Sequence, residues 1–96
     1  MEKILLKMKD KIKKQLPDWY DGEVYELGDE VRNPYSGETV LLDAAELSMY
    51  DHVKGAEMAF TLGGIMIPLD ECIDIINKGK DWFLIKNPQA YMILLD

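Results

Sequence analysis

Five breaks limit what this chain can form: Pro17, the Asn33-Pro34 pair with Gly37 behind it, Gly63-Gly64, Pro68, and Asn87-Pro88. Proline lacks an amide hydrogen and disfavours the α conformation in the residue before it, so a helix ends at or before each proline unless the proline opens it. Paired glycines stop a helix by offering left-handed backbone at no steric cost. The chain must therefore be assembled from short elements. With 96 residues, one domain is expected. A chain of this size buries only about 60% of its unfolded surface, so each large apolar side chain matters.

Between the breaks, the hydrophobic spacing predicts the elements. Ile4, Met8, Ile12 and Leu16, with Leu5 beside them, fall at helical intervals and predict a helix over about 2–16, with lysines mostly on its other face. Asp18–Glu30 follows, with six acids and no base; within it Glu23-Val24-Tyr25-Glu26-Leu27 alternates and reads as a short strand after the Asp21-Gly22 turn. A hairpin is predicted over about 31–42, turning at Asn33-Pro34-Tyr35-Ser36-Gly37 between Val31 and Thr39-Val40-Leu41. Asp43-x-x-Glu46 resembles a capping box and opens a helix over about 43–62. Gly55 inside that helix costs about 1 kcal/mol against alanine, which a close helix–helix approach would explain. Ile65-Met66-Ile67 reads as an apolar link or edge strand. A helix is then expected over about 68–78 with Leu69, Cys72, Ile73 and Ile76 inward, ending at Gly79. Short helices over about 81–87, capped by Asp81, and 88–95, capped by Asn87, complete the chain. The expected class is mainly α with a small β-hairpin (α+β): a basic amphipathic helix, 1–16, preceding a single compact acidic domain, 17–96.

The net charge of −7 is unevenly placed. Residues 1–16 carry six lysines against Glu2 and Asp10, whereas residues 17–96 carry sixteen acids against five bases. Such asymmetry points to an interaction segment. An acidic body disfavours direct nucleic-acid binding, which draws its affinity from Lys and Arg. A membrane-surface role for the basic helix is disfavoured because no Trp or Phe lies on its apolar side. Cys72 is alone, which excludes a disulfide scaffold and a cysteine-based zinc site. No apolar run approaches the ~20 residues of a membrane span, and the lysines of the first turns do not suit a signal peptide. A cytoplasmic protein is expected.

The usual chemical signatures are missing from the sequence. Gly63-Gly64 belongs to no phosphate-binding pattern. The single histidine, His52, and the single cysteine, Cys72, offer no nucleophile–base–acid set. Asp70, Glu71 and Asp74 near a helix start complement its dipole without further role. The Asp51, Lys54 and Glu57 series reads as a solvated helix face. No enzyme activity, cofactor or metal is expected.

Three blocks carry a likeness: Asn33-Pro34-Tyr35-Ser36-Gly37-Glu38; Tyr50-Asp51-His52-Val53-Lys54-Gly55-Ala56-Glu57; and Asp81-Trp82-Phe83 with Asn87-Pro88-Gln89-Ala90-Tyr91-Met92. In order and spacing they make residues 30–96 resemble small uncharacterised proteins of tailed bacteriophages, especially phages of marine and cyanobacterial hosts. The resemblance implies a small phage protein acting in the host cytoplasm and carries over no catalytic residue.

The expected function is a protein-interaction module that binds and modulates a host or phage protein, as a homo-oligomer. Its candidate contact residues are Arg32, Tyr35 and Ser36 on the hairpin, and Tyr50, Lys54 and Glu57 on the following helix. The oligomerising or docking element is the stripe Ile4, Leu5, Met8, Ile12 and Leu16. Alternatives are a small-ligand, nucleotide-type binder using Arg32, Lys54 or Lys86, and a self-assembling structural component. Nucleic-acid mimicry by the acidic body is a further reading. The basic helix is free to pack in cis, swap or dock on a partner.

Overall fold

The structure, a computed structural model, describes residues 2–96, with the side chains of the first helix described for Ile4 and from Leu6 onward. The elements are α1 (Glu2–Gln15), β1 (Asp29–Arg32), β2 (Thr39–Leu42), α2 (Ala44–Thr61), α3 (Leu69–Lys86) and α4 (Pro88–Leu94). This is an α+β protein: four helices and one antiparallel two-stranded hairpin among the described residues. Two compact units divide it, Met1–Met49 and Tyr50–Asp96, and the division falls within the continuous helix α2.

In the first unit, α1 stops where Pro17 requires, and Ile12 and Leu16 are buried. The segment from Pro17 to Gly28 is irregular, and the strand expected over 23–27 does not form. Side chains hold this segment instead. Tyr20 is buried, and its hydroxyl lies within hydrogen-bond reach of the carbonyls of Glu23 and Ser48, the latter at 3.0 Å. Ser48 Oγ accepts the N–H of Tyr25 at 2.9 Å while donating to the Ala44 carbonyl at 2.7 Å. A backbone amide committed to a helix side chain is not free to join a ladder, which is why the alternating pattern of 23–27 misleads. Gly28 then passes so close to the end of β2 that a Cβ there would lie 2.0 Å from the Leu42 carbonyl oxygen.

The hairpin is in register Arg32↔Thr39, Val31↔Val40, Glu30↔Leu41 and Asp29↔Leu42, so β1 begins two residues earlier than expected. Asn33 Oδ1 accepts the N–H groups of Tyr35, at 2.8 Å, and Ser36, at 3.3 Å. Gly37 takes φ +78°, a conformation that suits glycine. The capping box at α2 is complete: Glu46 N–H donates to Asp43 Oδ1 at 2.8 Å, and Asp43 N–H donates to Glu46 Oε1 at 2.9 Å.

In the second unit, α2 continues its buried stripe through Val53, Ala56 and Ala59. It ends in a Schellman arrangement, with Gly63 and Gly64 both at φ +80° and their N–H groups donating to Phe60 and Ala59 carbonyls at 3.0 and 3.2 Å. Ile65–Ile67 forms a link and not a strand.

The largest correction concerns α3. The helices expected over 68–78 and 81–87 are one helix of 18 residues, Leu69–Lys86. Gly79 is no cap and Asp81 no N-cap; both lie inside it. Its buried residues are Cys72, Ile75, Gly79 and Phe83, spaced 3, 4 and 4, whereas the expected inward residues Leu69 and Ile73 are exposed. A glycine costs only about 1 kcal/mol in a helix interior, and the burial of Phe83 on the same stripe outweighs it. Asn87 is the joint between helices. Its N–H donates to the Phe83 carbonyl at 2.8 Å, and its Oδ1 accepts the Ala90 N–H at 3.1 Å to cap α4, with Pro88 in the first turn. α4 packs on α3.

Gly55, expected at a close helix–helix approach, is exposed and a Cβ there would meet nothing within 4 Å. The expected outcome of Gly55→Ala is therefore a gain of about 0.5–1 kcal/mol in urea unfolding. Gly28→Ala should lose about 1–3 kcal/mol by the same measurement, because backbone must shift to admit the methyl group. Ser48→Ala should cost about 1–3 kcal/mol, since it leaves the Tyr25 N–H without its acceptor, and should raise amide exchange over residues 20–28.

Candidate functional site

The hairpin residues singled out from the sequence stand at the surface of the first unit. The Asn33 side chain organises the loop, and Tyr35 at its tip is 97% exposed, so its ring is presented wholly to solvent. Ser36 Oγ accepts the Glu38 N–H at 3.2 Å, which rigidifies the tip. Arg32 lies back along the hairpin: a Cβ at Gly37 would sit 3.4 Å from its guanidinium.

Tyr50, Lys54 and Glu57 come together on one face of α2 in the second unit, as their spacing of four and three residues requires. Lys54 Nζ is 5.7 Å from the centre of the Tyr50 ring and 3.3 Å from Glu57 Oε2. The lysine charge is thus shared between a π-face and a carboxylate. Both charged groups are partly exposed, so the pair is worth about 0–1 kcal/mol.

The α1 stripe is split. Ile12 and Leu16 are buried, whereas Ile4 is 64% exposed and Met8 is partly exposed; the Leu5 side chain lies outside the described residues. Met8, Lys11, Ile12 and Gln15 line an open groove of about 340 Å³ with Glu26, Asp43, Ala44 and Ala45. One base against two acids does not suit this groove to a phosphate. Lys9 Nζ reaches Glu26 Oε1 at 3.6 Å, so the acidic segment meets the basic helix within the chain.

An apolar surface in the second unit was missed from the sequence. Ile65 and Met66 are 86% and 77% exposed, and Met58, Leu62, Leu69 and Ile73 are also exposed. The Gly63-Gly64 stop, read as a helix terminator, is the signal that could have located it, because it forces the following apolar residues off the helix. Gly64 also closes tightly on Leu69, with 3.0 Å between a Cβ there and Leu69 Cγ, so the link is a shaped turn.

Cys72 is buried, with Sγ 3.6 Å from the Ile67 carbonyl oxygen. Among the described residues no group of three or more His, Cys, Asp and Glu is placed to hold a metal ion. Among them, too, no helix is long and apolar enough to cross a membrane. No protein-family model, curated protein or solved structure matches the chain.

Tyr35 makes no packing contribution that its loss would reveal. Tyr35→Ala is expected to leave the thermal midpoint within the range of an ordinary surface change, about 0.5 kcal/mol, with an unchanged circular dichroism spectrum.

Proposed function

We propose that this protein is a protein-interaction module that binds and modulates a host or phage protein in the bacterial cytoplasm. The observation that carries the reading is the exposed apolar turn between α2 and α3. Ile65 and Met66 project from a link whose backbone is closed by the Gly63-Gly64 cap, with Leu62, Leu69 and Ile73 exposed in the same stretch of chain. Exposed apolar side chains clustered along one stretch of chain favour an interaction site. Methionine adds adaptability, because its unbranched side chain fits irregular partners. The fully presented Tyr35 supplies a second contact of the amphipathic kind enriched at interfaces. The half-buried Tyr50–Lys54–Glu57 face offers polar contacts of the sort found at an interface rim.

The test is affinity capture from nuclease-treated bacterial lysate with the wild-type chain and with the Ile65→Asp, Met66→Asp variant. These side chains are solvent-exposed, so the variant should keep its circular dichroism spectrum and thermal midpoint. The wild type should retain one stoichiometric protein that the variant loses by tenfold or more. Equal recovery of all proteins by both baits would refute the reading.

A further inference from the structure

The continuity of α3 places side by side two rows that a break at Gly79 would have separated. Leu69, Ile73 and Leu84 are exposed along one line of the helix, with Ile76 half-buried among them. At about 100° per residue, Asp70, Asp74 and Asp81 form a second exposed line next to the first. The face is mainly apolar on one side, where half-buried Lys80 shares the line, and anionic on the other. Asp74 pairs with Lys78 at 3.0 Å, but both are well exposed and the pair is weak.

Antiparallel self-pairing of two such faces would set the aspartate rows together in a partly desolvated contact. The face fits a cationic amphipathic helix, and the chain possesses one. On α1, Ile4 is exposed, and Lys7 and Lys14 stand exposed in a row beside it. Both faces remain exposed in a single copy. We infer that α3 of one copy docks α1 of a second copy, with Ile4 against the Leu69–Ile73 row and Lys7 and Lys14 against Asp74 and Asp81. The inference rests on the interaction reading and names a second copy as one partner.

The register and direction follow from helix geometry. Lys7 and Lys14 are seven residues apart, as are Asp74 and Asp81, so each pair spans about two turns, roughly 10 Å. Viewed from the N-terminus at about 100° per residue, the lysine row of α1 lies anticlockwise of Ile4, and the aspartate row of α3 lies clockwise of Leu69 and Ile73. Parallel side-by-side packing then brings the two charged rows to the same side of the contact. Antiparallel packing would put them on opposite sides. Each copy carries both faces, so each can offer its α1 and receive another's.

Sedimentation velocity on the full chain tests this, with circular dichroism of each variant as a check on folding. Wild type should self-associate, and raised salt should weaken the association. The Lys7→Glu, Lys14→Glu variant and the Asp74→Lys, Asp81→Lys variant should each dissociate at least tenfold more readily. An equimolar mixture of the two should associate again, because the α1 of each variant meets opposite charges on the α3 of the other. A wild type that is monomeric at every concentration would overturn the inference, as would association untouched by the reversals or a mixture that stays monomeric. A monomer that binds anionic vesicles through α1 would also overturn it, assigning the helix to lipid. A monomer that still captures a partner through Ile65 and Met66 would overturn self-docking alone and leave the interaction reading in place.

Discussion

The first unit depends on Ser48. The stretch from Pro17 to Gly28 has neither helix nor strand, yet its backbone groups need partners wherever water is excluded. Ser48 supplies them from inside a helix. Its hydroxyl takes the Tyr25 amide, its carbonyl accepts from Tyr20, and its own proton goes to Ala44. Serine inside a helix commonly bonds back to the preceding turn; here the same oxygen also ties down a distant loop. Tyr20 completes the arrangement by burying a large ring while its polar end stays satisfied. Gly28 then runs against β2 at a distance that tolerates no side chain, and the hairpin follows from there.

The second unit depends on how glycine is used. Gly63 and Gly64 adopt left-handed backbone and end α2. Gly79 sits in regular helix, buried on the same stripe as Cys72, Ile75 and Phe83. Because α3 does not break there, eighteen residues of one helix present continuous rows to solvent. The apolar turn ahead of α3 and the apolar–acidic face along it are both products of where the chain stops and where it does not. Together they leave much of the large apolar content of this unit outside its core.

What could be read from the sequence were the features determined by contacts within a few residues. The Asp43–Glu46 box, the Asn33-Pro34 turn with Gly37, the Gly63-Gly64 stop and the Asn87-Pro88 cap each use groups no more than about four residues apart, and each forms as the sequence indicates. The Tyr50–Lys54–Glu57 face was legible for the same reason, as a matter of helical spacing. What could not be read needed groups far apart. The 23–27 segment alternates as a strand does, but its amide belongs to a serine 23 residues away. Leu69 and Ile73 look like core and face water, because the choice between neighbouring stripes of α3 is made by what packs on them.

The sequence alone determined the class of the protein, the positions of most helix ends and the opposition between a basic first helix and an acidic remainder, because periodicity, capping and charge are local properties. Only the tertiary structure decided that Gly79 stays helical, that Ser48 and Tyr20 fasten an irregular segment, and that Ile65, Met66, Leu69 and Ile73 remain in solvent. Those outcomes turn on burial, a quantity that belongs to the packed chain and not to any residue in it: the same leucine is core or contact surface according to which face its helix turns inward.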